Sequence, residues 1–161
     1  MITKNFNDEK DQELLLLDLT SRAPYGVMVE EFPYTDPVKL LYVDTFRMQY
    51  RTDADEHEHY IFERNAAGDT ISRIRPYLRS MDTMTEDEFN ELTDLCRSID
   101  SSQERQWIED FVVDVAHYDD WGESVYYTPN VHDYLTKHMF DYRGLVDKEI
   151  ALKVLEGMYN F

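Results

Sequence analysis

The chain has 161 residues, of which 42% are hydrophobic and 14% aromatic, and its formal net charge is −18. That apolar share supports a packed core and argues against disorder, and the length suits one domain, 1–161. So acidic a molecule repels bare nucleic acid and anionic membrane, so any long-range attraction selects a basic partner.

The first residues show no basic start followed by an apolar stretch, so no secretory leader is expected. Asp8 to Arg22 read as a helix. Acids crowd its first turn, where they complement the helix dipole, and Leu14 to Leu17 with Leu19 form a broad apolar face. Pro24 closes it, because the residue before a proline avoids helical geometry. The run Leu14 to Leu17 is far shorter than the roughly 20 apolar residues of a membrane-spanning helix. Strand signals follow: Val27 to Val29, a longer run from Lys39 to Tyr50, His59 to Glu63, and Thr70 to Arg75. Ala66 to Asp69 make a turn that pairs the last two as a hairpin. An N-terminal helix with a small antiparallel sheet, or a partly open barrel, is expected over 1–79.

Beyond Arg79 the period becomes helical. Thr85-Glu86-Asp87-Glu88 is a capping box that opens a helix with Phe89, Leu92, Leu95, Cys96 and Ile99 on its buried stripe. Ser101 to Glu104 is a second capping box, before Trp107, Ile108, Phe111, Val112 and Val115. Asn130 is expected to cap a helix bearing Val131, Tyr134 and Leu135, and Asp147 to Leu155 a short last one. The fold class is therefore α+β, with a C-terminal helical layer over 80–161. The single cysteine, Cys96, excludes an internal disulfide and suits a reducing cytoplasm. Its apolar helical stripe makes it a core thiol.

Residues 80–123 hold two arginines against fourteen acids, net −12 of the whole −18. A solvated helix ordinarily mixes signs. Here Glu86, Asp87, Glu91 and Asp94 on one helix, and Glu109, Asp110, Asp114, Asp119 and Asp120 on and after the next, present one sign. They are the candidate surface for a basic protein. Arg73, Arg75 and Arg79, with Arg64 across the turn, are a cationic cluster expected to pair with the acidic helices of the same chain, since that relieves its self-repulsion; a phosphate or RNA site is the competing expectation.

Asp55, His57 and His59 are the metal candidate: on a strand they would share a face, and three such ligands suit Zn²⁺ or Mn²⁺. A solvated loop is the competing expectation. His117 with Asp119 and Asp120 has no implied common geometry. There is no phosphate-cradling glycine loop, no GxSxG elbow and no HExxH, so no cofactor is expected.

Leu14 to Leu19 with Ala23-Pro24-Tyr25-Gly26-Val27, Arg75 to Met81 with Met84-Thr85-Glu86, His138 to Leu145 centred on Phe140-Asp141-Tyr142-Arg143-Gly144-Leu145, and Glu156 to Tyr159 occur in that order. Together they resemble a family of small uncharacterised proteins of Bacteroidetes genomes, prophages and mobile elements. The resemblance implies a bacterial cytoplasmic setting under phage or mobile-element control, and implies no catalytic residue. Residues 99–128 lie outside it, and Met139 stands where a second histidine beside His138 would be expected.

Three functions follow as expectations. The first is a non-enzymatic acidic protein that binds a basic partner, as a nucleic-acid mimic or an inhibitor of a host defence protein. The second is a small metal-dependent enzyme built on His57 and His59. The third is a structural or assembly component of a mobile element.

Overall fold

A computed structural model describes residues 4–99 and 128–160. Two units are distinguished: Met1–Leu78 with Leu145–Asn160, and Arg79–Gly144. The architecture is α+β, as the hydrophobic patterning predicts, and its sheet does not close into a barrel.

The first unit opens with helix α1 (Glu9–Arg22), whose N-cap Asp8 accepts the Lys10 N–H at 2.9 Å. Its buried residues are Leu15, Asp18, Leu19 and Arg22, the spacing of one helical face, while Leu17 is exposed. The stripe thus contains an ion pair: Arg22 Nε donates to both Asp18 oxygens at 2.9 Å, with both side chains at 0% exposure. A short 3₁₀ turn (Ala23–Tyr25) follows, with Pro24 in its first turn, and Gly26 ends it at φ 74, a conformation only glycine adopts without strain.

Strands β1 (Met28–Glu31), β2 (Val38–Asp44), β3 (Gln49–Thr52), β4 (His59–Tyr60), β7 (Ile74–Leu78) and β8 (Leu152–Lys153) form one sheet in the order β4-β3-β2-β1-β7-β8. Strands β5 (Phe62–Arg64) and β6 (Thr70–Ser72) form a hairpin. Three of the predicted runs are broken, each for a local reason. Lys39 to Tyr50 is two strands, because the Asp44 carboxylate accepts the N–H groups of Phe46 and Arg47, each at 3.0 Å, and turns the chain. His59 to Glu63 breaks at buried Ile61, and Thr70 to Arg75 at Arg73. There the Arg73 N–H bonds the Ile61 carbonyl at 2.8 Å, and the Phe32 N–H bonds the Arg73 carbonyl at 2.7 Å. Those two residues carry the chain from one sheet into the other, the corner device of packed β-sheets.

The sheet is mixed rather than purely antiparallel. Asp147 to Leu155 form no helix: Glu149 adopts φ 60, and Ile150 and Ala151 both donate to the Leu145 carbonyl, at 2.9 and 3.1 Å. Leu152 and Lys153 then pair in parallel with Tyr77 and Leu78. The β1–β7 register places Met28 opposite Tyr77 just past the last paired residues, Val29 and Pro76. The Tyr159 hydroxyl sits between them, accepting the Met28 N–H at 2.8 Å and donating to the Tyr77 carbonyl at 3.0 Å. Burial pushes that hydroxyl up to about 12.

In the second unit, a 3₁₀ turn (Met81–Thr83) leads to α2 (Glu86–Ile99), and α3 (Thr128–Lys137) returns. The capping box is present: the Thr85 hydroxyl accepts the Glu88 N–H at 3.2 Å, and the Glu88 carboxylate accepts the Thr85 N–H at 2.8 Å. Helix α3 begins two residues before Asn130, with Pro129 in its first turn, where its missing N–H costs no helical bond. Leu92, Leu135, Phe140 and Tyr142 form the core, with Met81, Met84, Phe89, Leu95 and Tyr134 around them.

Tyr159→Phe keeps the ring and strands one buried donor and one buried acceptor. An unfolding free energy lower by about 2 kcal/mol is expected in urea denaturation, the usual penalty for unmet buried polar groups.

Candidate interaction surface

Helix α2 has two faces of opposite chemistry. Phe89, Leu92 and Leu95 turn to the core, while Asp82 in the preceding turn, and Glu86, Asp87, Glu91 and Asp94 on the helix, are exposed. Asp87, Glu91 and Asp94 recur at helical spacing and share a side. The candidate acids Glu109, Asp110, Asp114, Asp119 and Asp120, with His117 and the second capping box, lie outside the described residues.

Not every acid on this helix is there for its field. Glu86 and Asp87 occupy the first turn, where the dipole stabilises an acid by about 0.3–1 kcal/mol. That exceeds the roughly 0.2–0.5 kcal/mol of the Asp87–Glu91 repulsion. Glu91 accepts the Tyr134 hydroxyl at 3.0 Å, and burial followed by that bond pushes the Tyr134 hydroxyl up. Asp94 lies beyond the first turn, exposed, and makes no ion pair among the described residues.

Glu88 is the exception on the acidic side. Arg79 Nη1 and Nη2 reach its two oxygens at 2.7 and 2.9 Å, and His138 Nδ1 lies 3.5 Å away. The same guanidinium bonds the Thr83 and His138 carbonyls at 3.3 and 3.4 Å and stands 4.3 Å over the Phe140 ring. The His138 ring stacks on Tyr134 at 4.2 Å. Burial alone would raise the Glu88 carboxyl, but the Arg79 hydrogen bonds and the Thr85 N–H outweigh it and bring it down to about 2. This cluster was not anticipated. The sequence signalled Glu88 only as a cap, and nothing local joins Arg79 to His138.

The cationic cluster pairs internally, but Arg73 and Arg75 take acids of the strands rather than of the expected acidic helices. Arg75 meets Glu30, its cross-strand neighbour, at 2.6 Å, and Arg73 meets Glu63 at 3.9 Å. Arg64 reaches the Gly68 carbonyl at 3.5 Å. Arg79 engages α2 through Glu88.

The Asp55, His57 and His59 run does not form the expected strand face. Residues 53–58 are turns and bends, so side-chain alternation does not apply, and only His59 lies on a strand. Asp55 is consumed locally: it accepts the His57 N–H at 2.9 Å and lies 3.0 Å from His59 Nε2. The first of these bonds, and then the second, lower the Asp55 carboxyl. His57 is exposed, and among the described residues no group of three His, Cys, Asp or Glu side chains is placed to hold a metal ion. No described helix is long and apolar enough to cross a membrane.

Phe140 to Leu145 have structural work. Phe140 carries Arg79 on its ring and bridges it in the backbone, the Tyr142 hydroxyl lies 3.0 Å from that of Thr136, and Arg143 lies over the Tyr142 ring at 4.7 Å. Comparison of the chain with family models, curated proteins and solved structures found no significant match.

A carboxyl lowered by folding stabilises the fold while it is ionised in both states. Its contribution is full above the ordinary glutamate range near 4.5 and fades as pH falls toward about 2. Glu88→Gln is expected to lower stability at neutral pH by about 2 kcal/mol and to flatten the acid limb, in urea titrations followed by circular dichroism between those pH values.

Proposed function

We propose that the chain is a non-enzymatic acidic protein that binds a basic protein through the outer face of α2. One observation carries this: Asp82, Glu86, Asp87, Glu91 and Asp94 are exposed together, while Arg79 of the same unit is engaged by Glu88. A field left open in this way raises the encounter rate with a cationic surface and steers its orientation.

The chemistry of the partner follows from charge density. Duplex DNA carries one charge per roughly 1.7 Å of axis, whereas acids on one helix face recur about every 5–6 Å. Helix α2 therefore supplies a sparse imitation of a phosphate track, suited to a groove that already concentrates lysine and arginine. A nucleic-acid-binding host protein has such a groove. The kinship with mobile-element proteins suggested by the Arg75–Met81 and His138–Leu145 segments fits an inhibitor of a defence protein of that kind. Among the described residues His57 and His59 belong to no group of three ligands placed to hold a metal ion, which gives a metal-dependent activity no comparable support.

The test is displacement of labelled duplex DNA from a purified basic DNA-binding protein. The chain is expected to compete at about 50 mM salt and to lose at least tenfold in affinity by about 200 mM. A variant carrying Glu86→Gln, Asp87→Asn, Glu91→Gln and Asp94→Asn is expected to be about tenfold weaker at the lower salt. Equal competition by variant and parent would remove α2 as the binding face.

A further inference from the structure

We propose that the outer face of β2, β3 and β4, with the turn that joins β2 to β3, is a docking surface for arginine side chains of a basic protein partner; this rests on the function proposed above and adds a recognition chemistry to it. Asp44, Gln49 and Tyr60 stand opposite one another across the three strands, so they share a face, and Tyr42 with Arg51 form its next row. At the end of this face the Asp44 carboxylate holds the turn, and Phe46 projects from it 95% exposed. Tyr60 is 60% exposed, and Met48 is exposed beside it in the ladder, its carbonyl accepting the Ile61 N–H at 2.8 Å. Large rings so placed contribute nothing to the core of the unit.

The face already contains one filled instance of what it would bind. The Arg51 guanidinium lies over the Tyr42 ring at 5.3 Å, and the Tyr42 hydroxyl donates to Glu58. Ring face and carboxylate together make a receptor for a planar cation. Tyr60 and Phe46 offer the same ring surface with no cation over it among the described residues. Arg47, the nearest basic side chain in the turn, is directed to Asp44 at 3.9 Å. The charge around them is complementary: residues 44–60 hold two arginines against Asp44, Asp53, Asp55, Glu56 and Glu58. An aromatic sheet face can also stack nucleobases, but that surplus of acid and the net charge of −18 oppose a polyanion.

Arginine and lysine differ here, because a flat, weakly hydrated guanidinium stacks on a ring and a compact ammonium does so less. Titration of the full chain with nona-arginine and nona-lysine therefore separates ring recognition from simple charge. The arginine peptide is expected to bind about fivefold more tightly. Phe46→Ala with Tyr60→Ala, both exposed and so compatible with folding, is expected to bring the two peptides within about twofold while the lysine affinity stays unchanged. The α2 variant with four neutralised acids is expected to weaken both peptides alike and keep their ratio. An arginine preference that survives the loss of both rings overturns the proposal and leaves α2 binding standing. Oligouridylate binding that disappears with the two rings overturns it in favour of a nucleobase platform. If neither peptide binds the parent chain, the proposed function falls and this inference falls with it.

Discussion

The helical unit hangs on one carboxylate. Glu88 closes the N-terminus of α2 through the Thr85 N–H and grips both guanidinium nitrogens of Arg79. Through Arg79 it reaches the carbonyls of Thr83 and His138 and the ring of Phe140. Two segments distant in sequence, residues 79–88 and 138–140, therefore meet at one partly buried charge. A charge in that position is tolerable only because it is fully engaged, since an unpaired buried carboxylate would take up a proton instead. The same arrangement governs the surface. By engaging Arg79, Glu88 keeps that cation from the exposed acids of α2.

The sheet unit solves a comparable problem with different groups. Asp18 and Arg22 sit in the buried stripe of α1, fully enclosed and bonded to each other. A buried pair of this kind adds little net stability compared with an apolar pair of equal volume, but it is costly to break. Nearby, the Tyr159 hydroxyl replaces a direct bond between Met28 and Tyr77, so a side chain from the end of the chain completes the junction of β1 and β7. Tyr77, Arg79, Phe140, Tyr142 and Tyr159 all act here as packing or hydrogen-bonding residues.

Acidity alone is weak ground for a binding surface, and the magnitudes sort the residues. The first-turn acids of α2 are stabilised by the helix dipole, and Glu91 by Tyr134, so their presence has a local account. Asp94 has Arg97 three positions on in the same helix, while no basic residue stands four positions after Asp87 or Glu91. The exposed rings of Phe46 and Tyr60 belong to a separate surface of the other unit, where ring faces rather than net charge would discriminate.

Much of this was legible in the order of residues. The α1 and α2 helices, the Thr85–Glu88 capping box, the Ala66–Asp69 turn and the acidic polar side of α2 follow from local rules, because caps, turns and amphipathic period involve residues a few positions apart. The breaks at Ile61 and Arg73 and the parallel pairing of Leu152 and Lys153 depend on backbone partners elsewhere in the chain. The same is true of the candidate surfaces. Net charge and its concentration in residues 80–123 were set by composition, whereas which acids remain open was decided by the tertiary choice of Arg79 for Glu88, Arg75 for Glu30 and Arg73 for Glu63. Charge is additive along a chain and can be counted; neutralisation depends on distance, and distance exists only once the chain has folded.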